Sequence, residues 1–121
     1  MAGKKTLVVG ASPKPDRYSY QAVANLSANG HETIALGNRI GEIGPVTIIT
    51  EKNALEGIDS VSVYLSAKNQ NEYQDYIISL KPKRVIFNPG AENPDFYETL
   101  DKAGIEAVEA CTLVMLSIGN Y

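Results

Sequence analysis

The loop at residues 10–19, with the sequence GASPKPDRYS, combines a glycine, hydroxyl groups and two cationic side chains. It follows an apolar run that is typical of a buried strand, and it precedes a segment with helical character. Gly10 permits a sharp turn, Ser12 supplies a hydroxyl donor, and Lys14 and Arg17 supply positive charge. Because the N-terminus of the following helix offers free N–H groups to the same loop, the pattern favours binding of a phosphate or pyrophosphate.

This loop differs from the G-x-G-x-x-G turn of dinucleotide-binding proteins, because the three glycine positions hold Gly10, Ser12 and Pro15. Two prolines stiffen the loop, so less conformational entropy is lost when a ligand orders it. An ordinary strand–helix connection with merely solvated cations stays open as an alternative. The predicted ligand-binding residues of the loop are Gly10, Ala11, Ser12, Lys14, Pro15, Arg17 and Ser19.

A second candidate loop follows the predicted strand Thr33–Leu36 and reads Gly37-Asn38-Arg39. An NAD site usually ends its second strand with an acidic residue that holds the ribose hydroxyls, and none is present here. Asn38 can hydrogen-bond a ribose or an adenine edge, and Arg39 can meet an additional phosphate on the ribose. The loop therefore favours NADP or coenzyme A over NAD, although a plain turn would also explain it.

Two later loops carry further candidate ligand contacts. Ser66 and Lys68 follow a predicted strand, and Asn88, Pro89 and Gly90 follow the next one. The glycine and the asparagine permit close approach of the backbone to a ligand. As alternatives, Ser66 caps a helix, Lys68 is a surface lysine, and the segment NPGAENP is a plain strand–helix turn.

The elements that must position these loops alternate between strand and helix. This alternation predicts an α/β fold, a Rossmann-like doubly wound parallel sheet of about five strands with helices on both faces. Ligands of such sheets bind at the carboxyl ends of the strands, where the strand order reverses. The predicted strands are Thr6–Val9, Thr33–Leu36, Val61–Leu65, Val85–Phe87 and Ile105–Val108. The predicted helices are Tyr18–Ala28 with Asp16 or Ser19 as its cap, one containing Tyr73–Leu80, one from Asn93-Pro94 to Gly104, and a tail at Cys111–Ile118. Less regular segments predict a short strand at Val46–Ile49 and a helical turn at Lys52–Leu55.

The composition excludes several classes of protein. The net charge of −3 argues against a non-specific nucleic-acid binder. The first apolar run is too short for a signal peptide or a membrane span, so we expect a cytoplasmic protein that does not bind membranes. The chain has one cysteine and one histidine without metal-ligand spacing or a catalytic partner. We therefore expect a ligand-binding module with no catalytic site and no metal.

The motifs resemble those of the small stand-alone bacterial CoA-binding proteins, whose first turn reads G-x-S-x-x-P-x-R-x-S. Gly10, Ser12, Pro15, Arg17 and Ser19 match that pattern in order. The segments NPGAENPDF and GIEAVEACTLVML are similar to the fifth loop and the C-terminus of the same family. The resemblance covers nearly the whole chain.

The resemblance implies a Rossmann-like domain, residues 1–121, related to the CoA-binding domain of succinyl-CoA synthetase. It places the diphosphate of coenzyme A or an acyl-CoA on residues 10–17 and the adenosine near Asn38 and residues 66–68. The pantetheine arm then runs toward residues 88–90. Many relatives have Asn-Pro where this chain has Asn38-Arg39, so the adenosine contacts differ from the family pattern.

Three hypotheses follow from the sequence. The first is a module that binds coenzyme A or an acyl-CoA. The second is an NADP-binding oxidoreductase-like domain, and the third is an interaction domain without a ligand. The apolar tail CTLVMLSIGNY and seven tyrosines would suit a homodimer or docking on a partner enzyme. A tail packed on the sheet explains them equally well.

Overall fold

The computed structural model describes residues 3–121, and its centre is one sheet of seven strands. The strands are β1 (Thr6–Val9), β2 (Thr33–Leu36), β3 (Gly41–Ile43), β4 (Val46–Ile49), β5 (Ser60–Val63), β6 (Arg84–Phe87) and β7 (Glu106–Glu109). Their spatial order is β3-β4-β2-β1-β5-β6-β7. Every neighbouring pair is parallel except β3 and β4, which are antiparallel. The strand order reverses at β1, because β2, β3 and β4 lie on one side of β1 and the later strands β5, β6 and β7 lie on the other.

Helices cover both faces of the sheet, as the sequence predicts. They are α1 (Tyr18–Ala28), α2 (Ala67–Gln70), α3 (Gln74–Ser79), α4 (Pro94–Lys102) and α5 (Thr112–Ser117), with a turn of 3-10 helix at Asn71–Tyr73. No helix within residues 3–121 is long and apolar enough to cross a membrane.

The two faces of the sheet have separate apolar cores. Val8 packs with Leu26 of α1 and Met115 of α5 on one face. Its neighbour Val9 packs with Ile77 of α3 on the other. Consecutive side chains of a strand point to opposite faces, so a strand buried on both faces must be apolar throughout. This requirement explains the continuous apolar run at residues 7–9, all of which are 0% exposed.

The structure corrects the predicted number of strands from about five to seven. The predicted strand Val46–Ile49 is confirmed, and it pairs with the unpredicted strand β3. Strand β3 has three residues, of which only Ile43 is buried, so it carries almost no periodic signal.

The prediction of a helical turn at Lys52–Leu55 is wrong, because this segment has no regular secondary structure. Contacts with residues 72–76 hold the segment in place instead. The Tyr76 hydroxyl donates to the Asn53 carbonyl at 2.6 Å. The Lys52 ammonium donates to the Glu72 carbonyl and lies 4.9 Å from the centre of the Tyr73 ring.

The helix ends agree with the sequence in one place and differ in another. The Asn93 side chain caps α4 by accepting a 3.3 Å hydrogen bond from the Phe96 N–H, and Pro94 is the first helical residue, as predicted. The prediction that Asp16 or Ser19 caps α1 is wrong. Arg17 holds the cap position, and its side chain makes no capping hydrogen bond.

The apolar tail packs on the sheet through part of its surface. Met115 and Tyr121 are buried in the core beneath α1 and α5. Val114 and Ile118 remain 53% and 66% exposed on the outer side of α5. Burial against the sheet therefore explains the apolar residues on the inner side of α5, and not those on its outer side.

Candidate ligand-binding cleft

A cleft of about 670 Å³ lies at the carboxyl ends of β1, β2 and β5, beside the point where the strand order reverses. This is the location that the doubly wound fold favours for a ligand. The residues lining it are 10–14, 17–19, 37–39 and 64–66, together with Asn69, Glu72, Tyr73 and Pro89.

The cleft brings together ten of the fourteen residues that the sequence predicts as ligand contacts: Gly10, Ala11, Ser12, Lys14, Arg17, Ser19, Asn38, Arg39, Ser66 and Pro89. Pro15, Lys68, Asn88 and Gly90 do not line it. Asn38 and Ser66 lie on opposite sides of β1, because they follow β2 and β5 respectively. Ligand contact by any of the fourteen stays a prediction.

Asn88 is buried beneath the cleft, and its side chain is already used within the protein. Its amide nitrogen donates to the Ser62 hydroxyl and the Val63 carbonyl, both at 2.9 Å. Its amide oxygen accepts a 2.8 Å hydrogen bond from the Thr112 N–H. Both amide hydrogens are therefore used on β5, and the amide oxygen is used on the start of α5.

Gly10 begins the first loop in a conformation that few other residues adopt. Its φ of 91° lies in the left-handed region. The N–H groups of Gly10 and Ala11 both donate to the Leu36 carbonyl, at 2.9 and 3.0 Å. A Cβ at Gly10 would also lie 3.0 Å from a methyl carbon of Leu65. The turn thus requires glycine for its backbone angle and for the room beside it.

The loop after β1 packs directly on the loop after β2. A Cβ at Gly37 would overlap the carbonyl oxygen of Ala11. A Cβ at Gly41 would lie 2.5 Å from the Cβ of Pro13. Glycine at these two positions therefore allows the loop after β2 and the start of β3 to contact the first loop closely.

The N-terminus of α1 borders the cleft without a side-chain cap or an acidic residue in its first turn. The N–H groups of Tyr18, Ser19 and Tyr20 find no acceptor among residues 3–121, and the first helical hydrogen bond runs from the Gln21 N–H to the Arg17 carbonyl at 3.2 Å. Free N–H groups and the positive end of the helix dipole together make a site for an anion.

Positive charge is concentrated at the cleft although the whole chain carries −3. Lys14, Arg17 and Arg39 line it, are exposed, and form no ion pair within residues 3–121. Glu72 is the one carboxylate in the lining. Three cations in the described lining, two of them in the loop that leads into α1, favour an anionic ligand.

Within the described residues, the lining on the β5 side of the cleft holds no cation and one carboxylate, that of Glu72. Tyr64, Leu65, Tyr73 and Pro89 lie there. Burial raises the pKa of the Tyr64 phenol well above its usual range, so the side chain is neutral at physiological pH. Its buried hydroxyl has no hydrogen-bond partner within residues 3–121. This side suits an uncharged part of a ligand.

The part of the chain that the structure describes contains no group of three His, Cys, Asp or Glu side chains that could hold a metal ion. Cys111 is partly buried at the start of α5 and does not line the cleft. His31 accepts a 2.9 Å hydrogen bond from the Lys4 N–H and packs edge-on against the Tyr121 ring.

The sequence model of a protein family described as "CoA binding domain" matches residues 4–117. The chain belongs to this CoA-binding domain family. The match spans β1 to α5, and the resemblance seen in the sequence motifs is thereby confirmed.

Solved structures of similar proteins share the fold of this CoA-binding family member. One, the crystal structure of an uncharacterized protein, is 50% identical, with both chains covered completely and a TM-score of 0.96. Cell-free ID.343 from Thermus thermophilus is 21% identical, with 98% and 91% of the two chains covered and a TM-score of 0.85. A hypothetical protein from Pyrococcus horikoshii OT3 is 24% identical, with 95% and 82% covered and a TM-score of 0.81. A search of curated proteins found no significant match.

Several residues of the CoA-binding fold line the cleft without having been predicted. Tyr64 and Leu65 directly follow β5, so the rule that ligands bind at the carboxyl ends of strands could have found them. Asn69 and Tyr73 come from α2 and the 3-10 turn. The sequence places Tyr73 on the apolar face of a longer helix, and the break between α2 and α3 turns it toward the cleft.

Proposed function

We propose that the chain binds coenzyme A or an acyl-CoA in the cleft at the carboxyl ends of β1, β2 and β5. The observation that carries the proposal is the uncapped N-terminus of α1, where three backbone N–H groups beside Lys14 and Arg17 have no acceptor within residues 3–121. Because the chain belongs to the CoA-binding domain family and a helix N-terminus favours anions, we assign the diphosphate of the ligand to this position. We assign it no catalytic residue and no metal, and we propose that residues 1–121 act as one domain in the cytoplasm.

The first loop offers the diphosphate three kinds of donor. Backbone N–H groups come from the start of α1, a hydroxyl comes from Ser12, and charged donors come from Lys14 and Arg17. The Ser12 Oγ accepts a 3.2 Å hydrogen bond from the Lys14 N–H, so the hydroxyl proton of Ser12 remains available to an anion. Arginine suits this task because its planar guanidinium can donate two parallel hydrogen bonds to phosphate oxygens.

The distribution of charge supports one orientation of the ligand. Coenzyme A carries a phosphate on its ribose at one end of the diphosphate and an uncharged pantetheine arm at the other. Arg39 supplies positive charge on the β2 side. On the β5 side, the described lining holds no cation, carries the carboxylate of Glu72, which would repel a phosphate, and offers apolar surface at Leu65 and, from the next loop, Pro89. The 3′-phosphoadenosine therefore belongs beside Asn38 and Arg39, with the pantetheine arm on the β5 and β6 side.

Arg39→Gln is expected to weaken binding of coenzyme A by about tenfold, since an exposed charge-assisted hydrogen bond contributes at the lower end of roughly 1.5–3 kcal/mol. Binding of dephospho-CoA, which lacks the 3′-phosphate, should change by less than about twofold because its phosphates lie on the other loop. Calorimetric titration of both ligands measures this difference. Lys102→Gln, which removes a charge at the far end of α4, is the control. An equal loss for both ligands would contradict the orientation.

A further inference from the structure

The side chain of Gln70, at the end of α2, is completely buried although it is polar. Its amide nitrogen donates to the Leu65 carbonyl at 2.8 Å and to the Ala91 carbonyl at 2.7 Å. Its amide oxygen accepts a 3.0 Å hydrogen bond from the Asn93 amide nitrogen. Because carbonyl groups can only accept, the orientation of this amide is fixed by its partners.

These partners belong to two different loops of the cleft. Leu65 lies in the loop after β5 and lines the cleft itself. Ala91 lies in the loop after β6, two residues beyond the cleft residue Pro89. One side chain therefore connects the loops after β5 and β6 to each other.

The same network extends into α4. Asn93 donates to Gln70 through its amide nitrogen and caps α4 through its amide oxygen. The loop after β6 thus has one end bonded to Gln70 and the other fixed to a helix. Both donors of the Gln70 amide are used, and removing the amide would take these hydrogen bonds from the Leu65 and Ala91 carbonyl groups and from the Asn93 amide nitrogen.

We propose that Gln70 is a positioning residue, which sets the distance between the loops after β5 and β6 so that the pantetheine arm can run between them. The proposal rests on the proposed binding of coenzyme A. Gln70 itself does not touch the ligand, because it is 0% exposed and does not line the cleft. It acts through Leu65 and Pro89, whereas the loop that holds the diphosphate has no hydrogen bond to it.

The test compares coenzyme A with adenosine 3′,5′-bisphosphate, which lacks the pantetheine arm. Gln70→Met keeps an unbranched side chain of similar length and removes all three hydrogen bonds. We expect Gln70→Met to weaken the binding of coenzyme A by about tenfold and the binding of the bisphosphate by less than about twofold. The reason is that only the pantetheine arm contacts the two loops that Gln70 connects. Gln74→Met is the matched control, since Gln74 makes only a 3.4 Å contact with Asn71 and should affect neither ligand.

Gln70→Asn serves as the milder variant if Gln70→Met does not fold, because it keeps an amide that is too short to reach both carbonyl groups. It should show the same selective loss to a smaller degree. If a folded variant loses affinity equally for both ligands, or keeps wild-type affinity for coenzyme A, the proposed role of Gln70 is overturned. The proposed function is unaffected by that result. Failure of the wild-type chain to bind coenzyme A would overturn the proposed function and the role of Gln70 with it.

Discussion

Replacing Arg17 by alanine is expected to weaken binding of coenzyme A by about tenfold or more, while the melting temperature stays unchanged. Arg17 stands at the start of α1, lines the cleft and is exposed, with no ion pair among residues 3–121. Its removal therefore takes away ligand contacts without breaking contacts of the fold. Charge-assisted hydrogen bonds contribute roughly 1.5–3 kcal/mol each, and about 1.4 kcal/mol corresponds to a factor of ten.

Arg17→Lys separates charge from geometry, because it keeps the positive charge and loses the two parallel donors of the guanidinium. Its affinity should lie between those of the wild type and Arg17→Ala. Lys102→Ala removes a charge outside the cleft and should leave the affinity unchanged. Calorimetric titration of these variants is the measurement. Wild-type affinity in Arg17→Ala would mean that the loop is a plain strand–helix connection.

Gly37→Ala is expected to reduce both stability and affinity, because its Cβ would overlap the Ala11 carbonyl oxygen. That oxygen is part of the backbone and cannot rotate away, so the loop after β1 has to shift. Overpacking of this kind costs about 1–3 kcal/mol. The shift should also displace the donors that face the diphosphate, and coenzyme A should bind at least about tenfold more weakly. Denaturant unfolding and calorimetric titration measure the two effects.

Gly104→Ala is the control for this substitution. Gly104 follows α4, and nothing lies within 4 Å of its Cβ position. Because the φ of Gly104 is 78°, alanine there introduces backbone strain of about 1 kcal/mol, but it clashes with no neighbouring atom. Affinity for coenzyme A should therefore remain at the wild-type value. Wild-type stability and affinity in Gly37→Ala would contradict the support of the first loop by the second.

Elements with a strong local signal could be predicted from the sequence. The bounds of β1, β2 and α1 agree with the prediction, and the Asn93-Pro94 pair marks the start of α4. Strand β3 could not be predicted, because it exists through its pairing with β4 rather than through a pattern of its own. The same reasoning applies to the segment at Lys52–Leu55, which contacts between layers hold in place.

The parts of the cleft whose residues are consecutive in the chain could be predicted from the sequence. The residue types and spacing at 10–19 indicate an anion-binding loop, and the rule that ligands of doubly wound sheets bind at the carboxyl ends of the strands indicates the neighbouring loops. Gly37 and Gln70 could not be recognised, because their importance depends on which loops lie next to each other. Asn88 shows the converse: a loop rich in turn residues suggests ligand contacts, and the folded chain uses that amide for itself.

The most direct test of the account is the thermal shift of the wild-type chain with coenzyme A, NADP and NAD under identical conditions. A ligand at a hundredfold excess over its dissociation constant stabilises the folded state by about 2.7 kcal/mol. Lys14, Arg17 and Arg39 line the cleft without an ion pair among residues 3–121, and no acidic residue directly follows β2. We therefore expect a larger shift with coenzyme A than with NAD. A shift with NAD that equals or exceeds the shift with coenzyme A would contradict the proposed function.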